Sequence, residues 1–145
     1  MASLLILVAG LTAADMIKLH PYEYVFFNRS SGGLVAASGR YETEYWGSAY
    51  KEADDWLIGH YEPDAPNGSI RVANVSQEIF TSYYLNSDRA ETRRFVPVRI
   101  RDHPDVVLAS TRLNLHLLYG GKVLHVVGRM GVPFVYVIEM SPRPL

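Results

Sequence analysis

The chain has 145 residues, 48% of them hydrophobic and 20% charged, a one-domain length with enough apolar content for a core that needs no staples. Fourteen Lys+Arg against fifteen Asp+Glu leave a formal charge of −1, which argues against a general nucleic-acid binder. The absence of cysteine excludes a disulfide scaffold, a zinc ribbon and a thiol nucleophile.

In chain order, Leu4 to Ala14 (LLILVAGLTAA) comes first, eleven residues without a charge. Asp15 is the first acid and Lys18 the first base. A spanning helix needs about 20 apolar residues, so this run does not cross a bilayer by itself. It fits a signal-peptide core, a buried helix, or the last half of a spanning helix. Met1-Ala2-Ser3 lacks the basic start of a signal peptide. In the third reading Tyr22, Tyr24, Phe26 and Phe27 stand where interfacial aromatics stand. The expected division is an apolar segment over 1–17, the remnant of a last transmembrane helix, and a soluble domain over 18–145.

Tyr22 to Asn28 (YEYVFFN) reads as extended, and Ser30-Ser31-Gly32-Gly33 breaks it. The spacing of Ala49, Ala53, Trp56 and Leu57 predicts a helix over Ser48 to His60, with Lys51, Glu52, Asp54 and Asp55 facing water. Glu62 to Ser69 is a loop. Ile70 to Val75 alternates as a strand does, and Ser76 suits the N-cap of a helix over Gln77 to Leu85. Arg94 to Ile100 is the next strand, with Pro97 pointing to an edge or a bulge. Strand, helix and strand make one right-handed βαβ unit. Asp105 to Ser110 reads as a short buried strand, and Arg112 to Tyr119 as either a loop or a helical segment. Lys122 to Val127 and Pro133 to Met140 read as strands joined by a hairpin at Gly128 to Gly131. The sum is a single α/β domain with a mixed β-sheet, one βαβ unit, flanking helices and a C-terminal β-hairpin.

The densest chemistry lies between His20 and Trp46. Aromatic rings with interspersed carboxylates suit sugars, because flat faces stack on pyranose C–H groups while carboxylates accept hydroxyl protons. His20, Tyr22, Tyr24, Asn28, Glu42, Glu44, Tyr45 and Trp46 are the candidate substrate-binding residues. On a strand over 41–46, Glu42 and Glu44 would share one face. A free-standing glycoside hydrolase would then need them about 5–5.5 or 6.5–9.5 Å apart. Tyr41, Tyr45 and Trp46 read more readily as core anchors, as in a purely structural interaction domain.

A second cluster is basic: Arg89, Arg93, Arg94, Arg99 and Arg101 fall within 88–101. Guanidinium forks suit phosphate, so Arg93, Arg94, Arg99 and Arg101 are candidate contacts for a phosphate or lipid headgroup, against the plainer reading of a solvated face. His20, His60, His103, His116 and His125 are scattered without ligand spacing, and no phosphate loop occurs, so neither metal nor cofactor is expected. Glycosylation-type triplets at Asn28, Asn67 and Asn74 read as coincidence.

The order HPYEYVFFN, Gly32-Gly33, YETEYWG and YKEADDWL resembles the extracytoplasmic C-terminal region of bacterial GT-C-type membrane glycosyltransferases, relatives of protein O-mannosyltransferases and aminoarabinose transferases. His20, Pro21, Tyr22, Tyr24, Phe27 and Asn28 fit the first element, Gly32-Gly33 the second, and Glu42, Tyr45, Trp46 and Gly47 the third. Glu44 stands where an aspartate is usual, and Arg29-Ser30-Ser31 replaces a more apolar run. The resemblance covers residues 4–60. It implies a polyprenyl-phosphate sugar donor and a catalytic carboxylate on an early loop between membrane helices, which this chain lacks. The function so implied is a non-catalytic domain that caps or orders the acceptor site on the periplasmic face of the inner membrane. Its implied partners are the membrane region of the parent enzyme and a glycan or lipid-linked sugar.

Overall fold

The computed structural model describes residues 2–62, 68–76, 78–86 and 92–141. Most of the loop expected over Glu62 to Ser69, together with Gln77, Arg89 and the tail from Pro142, lies outside the described residues.

The apolar amino-terminal run belongs to a longer helix, α1 (Ala2–Leu19). No proline or β-branched cluster interrupts it, and its Leu and Ala content favours helix. It is 18 residues long with a mean hydropathy of 1.8, long and apolar enough to cross a membrane. At about 1.5 Å per residue it reaches about 27 Å, close to a hydrocarbon core. The buried-helix reading fails: Leu5 is 70% exposed and Ile6 72%, and only Asp15 and Leu19 of α1 are buried. The helix therefore stands out from the domain and touches it only at its foot.

After the cis peptide at His20-Pro21 the chain does not run extended as expected. A 3-10 turn takes Glu23–Val25, because the hydrophobic side chains of Tyr22 and Val25 both turn inward to the core. A second 3-10 turn (Arg29–Ser31) leads into the short helix α2 (Gly33–Ala37). The Gly-Gly pair is needed there: Gly32 has φ +91°, and a Cβ on it would come within 2.5 Å of Ala36 Cβ.

Helix α3 (Ala49–His60) and helix α4 (Glu78–Leu85) cover one face of a five-stranded sheet. The strands are β1 (Ile70–Asn74), β2 (Phe95–Pro97), β3 (Val106–Ser110), β4 (Lys122–Arg129) and β5 (Val132–Glu139), in spatial order β2-β1-β3-β5-β4. Strand β1 is parallel to both β2 and β3, as a βαβ unit requires, while β5 is antiparallel to β3 and β4. Strand β2 is shorter than the expected 94–100, and Pro97 closes it on the sheet edge, where a missing N–H costs nothing. The hairpin turn is the pair Met130-Gly131, since pairing continues to Arg129↔Val132.

The main core lies under α3 and α4. Tyr22, Tyr50, Leu57, Val72, Leu108 and Phe134 are buried there, each aliphatic side chain stabilising the fold by about 1.5–3 kcal/mol. On the other face Val107, Ala109 and Ile138 are covered by Tyr119, Tyr136 and Met140. The undecided segment after β3 is a 3-10 stretch (Arg112–Leu118) broken by left-handed Leu113 and Asn114, with His116 stacked on Tyr136 at 4.9 Å. The register places the end of β3, the β4–β5 turn and the start of β5 at one end of the sheet. Arg129 Nε donates to His20 O at 3.1 Å, so α1 leaves from that same end.

Candidate functional site

The segment after α2 is not a strand. Tyr41 makes an isolated bridge to Ser38, and residues 42–47 follow no regular pattern. The alternation that would have put Glu42 and Glu44 on one face is therefore not realised, and the two carboxylates part company.

Glu44 turns inward and is only 1% exposed. The first turn of a helix leaves N–H groups without partners, and its positive end attracts an anion. The backbone of Gly47, Ser48 and Ala49 at the start of α3 favours the Glu44 charge, and Tyr24 donates its hydroxyl proton to Oε2 at 2.7 Å. Burial outweighs these influences and raises the proton affinity of Glu44. Its other oxygen, Oε1, is buried without a hydrogen-bond partner among the described residues. Burial and the Glu44 bond also raise the Tyr24 phenol above the usual tyrosine range, so it stays a donor.

Gly47 closes this arrangement. Its φ is +74°, and a Cβ would lie 2.4 Å from the Phe80 ring. Because Glu44 is drawn in, its neighbours are thrown out: Tyr45 is 52% exposed and Trp46 65%. Their rings meet edge to face at 5.1 Å, and the Arg112 guanidinium lies over Tyr45 at 4.9 Å. Glu42 is on the surface and accepts the Leu113 N–H at 3.3 Å. Tyr41, Tyr45 and Trp46 are thus not the core anchors that their size suggests. The result is an open aromatic corner with the Arg112 guanidinium over Tyr45 and the Glu42 carboxylate tied to the adjoining Leu113 N–H, able to meet a ligand through the exposed Trp46 ring and through hydrogen bonds.

The other candidate residues have structural work. Tyr22 is 1% exposed, donates to Glu52 Oε2 at 2.6 Å, and packs edge to face on Phe134 at 5.4 Å, so it offers no surface to a ligand. Arg129 completes that cluster, donating to Glu52 at 2.7 Å with its guanidinium 4.7 Å from the Tyr22 ring centre. Burial opposes the Glu52 charge, but Arg129 and Tyr22 together hold its carboxyl below the usual range. Asn28 caps the 3-10 turn that follows it, with Oδ1 accepting from Ser31 N at 2.9 Å. His20 is exposed and pairs with Glu23 at 2.7 Å.

The arginine cluster does not form one patch. Arg94, ahead of β2, donates to Tyr61 O at 2.9 Å and Ile58 O at 3.3 Å, tying down the end of α3. Past the far end of β2, Arg99 pairs with Glu78 at 3.6 Å beside a cleft of about 280 Å³. Arg101 lies 4.0 Å from Asp102, and Arg93 is exposed. Asp54, expected in water, is fully buried between α3 and α4, where Thr81 donates to it at 3.4 Å. Burial pushes its carboxyl up to about 8. Among the described residues no group of three acidic or imidazole side chains could hold a metal.

Arg112, Arg129 and the Asp15–Arg29 pair escaped sequence reasoning because their partners are remote in the chain and no local spacing announces them. Compared with protein-family models, with curated proteins and with solved structures, the chain matches none.

Proposed function

We propose that this chain is the periplasm-facing domain of a GT-C-type membrane glycosyltransferase that uses a polyprenyl-phosphate sugar, non-catalytic by itself. The observation that carries the reading is α1, an apolar helix of 18 residues whose flanks are bare while its foot is clamped to the domain. Bare leucines along a whole helix are costly in water and at rest in hydrocarbon. The motif resemblance supplies the transferase class.

In this reading the domain sits at the bilayer surface, and the corner of Glu42, Tyr45, Trp46 and Arg112 orders the acceptor or the sugar beside the membrane-embedded chemistry. The corner offers stacking and hydrogen bonding. It does not offer two carboxyls free to act on a glycosidic bond, since Glu44 is sealed and Glu42 is exposed.

Two measurements test the reading. The reading frame upstream of Met1 is expected to encode several further apolar spans, and a stop codon there would remove the transferase assignment. A phosphatase fused after residue 141 is expected to be active, as it is only outside the cytoplasm; an inactive fusion would reverse the topology.

A further inference from the structure

The foot of α1 does not lie flush on the domain. A groove of about 340 Å³ opens between its last turn and the Gly32–Val35 segment. Phe27, Leu34, Val35 and Met130 give it an apolar wall, and Lys18 and Arg29 stand along it. The wall is open to the outside, since Val35 is 64% exposed and Met130 40%. Two bonds from Arg29 to Asp15 cancel one cation. Lys18 is exposed and makes no ion pair among the described residues, so the groove keeps one positive charge.

Depth gives these features meaning. Lys18 is in the last turn of α1, the level at which an apolar helix passes from hydrocarbon to headgroups. A ligand for this groove must present an apolar tail at bilayer depth and an anion at the surface.

We propose that the groove binds one acidic phospholipid of the leaflet from which α1 emerges, its acyl chain along Val35 and Met130 and its phosphate against Lys18. The inference rests on the reading of α1 as a membrane helix. A neutral zwitterionic lipid carries a compensating choline and gains less from a lone lysine. The attraction of acidic lipid to each basic residue at a membrane surface is worth about fivefold in affinity.

The test uses the full chain in nanodiscs made from equal parts of phosphatidylcholine and phosphatidylglycerol, with retained lipid read by native mass spectrometry. One phosphatidylglycerol is expected to stay with the chain. Lys18→Ala is expected to lower that preference about fivefold. Val35→Glu, a change at an exposed position, is expected to abolish retention without unfolding. Equal retention of both lipids, or indifference to both substitutions, overturns the proposal. Displacement by water-soluble glycerol phosphate also overturns it, pointing to a site for free phosphate. The chain has no cysteine of its own, so Leu7→Cys reports α1 alone. Shielding of that thiol from a water-soluble maleimide keeps the membrane reading whatever the groove does, whereas free labelling sinks both.

Discussion

The Asp15 carboxylate and the Arg29 guanidinium meet through two bonds, 2.6 Å to Nε and 2.7 Å to Nη2, the planar fork geometry in which arginine binds carboxylate best. Asp15 lies in α1 and Arg29 in the turn before α2, so this pair fixes the angle at which the helix leaves the domain. Asp15→Asn and Arg29→Ala are each expected to free the joint while the sheet stays folded. Trypsin should then cut after Lys18 faster in both variants, with the thermal midpoint of the domain unchanged. An unchanged cleavage rate would show that packing of Leu19 alone holds the joint.

Trp46 stands outside the core, and its removal leaves no cavity. Trp46→Ala is expected to change stability by no more than about 0.5 kcal/mol, the ordinary range for a surface position. Tyr22→Ala, at a site sealed by Phe134 and Arg129, is expected to cost about 3–5 kcal/mol. Urea midpoints of the two variants, compared with the parent, check both statements. A large loss for Trp46→Ala would place its ring against something the domain itself supplies.

Asp54 gives the fold a pH dependence of definite sign. Its carboxyl titrates near 3.8 in the unfolded chain and near 8 when folded, because burial disfavours the charge. The folded state therefore holds a proton that the unfolded state has lost, and this contribution is full below pH 3.8 and declines as pH rises toward 8. Asp54→Asn removes the titration. The variant is expected to gain stability over the parent at pH 8 and to lose that advantage at pH 4, as measured by melting at both values. The same gain at both pH values would mean that Asp54 is already charged in the folded chain.

Gly47 holds a left-handed conformation directly under the Phe80 ring. Gly47→Ala adds backbone strain of about 1–3 kcal/mol and forces the ring away from Tyr50, on which it stacks at 6.0 Å. The expected result is a lower melting temperature together with faster amide exchange at the start of α3. If only the melting temperature fell, the strain would be confined to the turn.

Much of the domain can be read from local pattern because the local pattern and the final contacts agree. Val106 to Ser110 is a short, mostly apolar run led by two valines and becomes the central strand, buried on both faces. The alternation in Ile70 to Asn74 and the turn signal between two valine-rich runs lead to β1 and to the β4–β5 hairpin in the same way. Legibility ends where a distant group overrules a short segment. Tyr22 to Asn28 has the composition of a strand, yet Tyr22 is claimed by Glu52 and Arg129 and the backbone coils into a 3-10 turn. Residues 41–46 alternate like a strand, yet the start of α3 captures Glu44 and turns its aromatic neighbours outward. Asp54 occupies a helix position that composition would assign to water, and α4 covers it. The Tyr22 and Asp54 outcomes need knowledge of a contact more than 20 residues away, and the Glu44 outcome needs the three-dimensional course of the turn into α3.

The sheet has two unequal outer rims. The β2 rim is three residues long and closed by a proline, whereas the β4 rim runs for eight residues with Val123 and Val126 showing. A long, straight rim of this kind would zip onto a neighbouring copy. In β4 the ladder slips between Val123 and His125 and again between Val127 and Gly128, and Lys122 and Arg129 mark its ends. Those slips interrupt the even row of backbone groups, so the rim is a poor template for strand pairing despite its length.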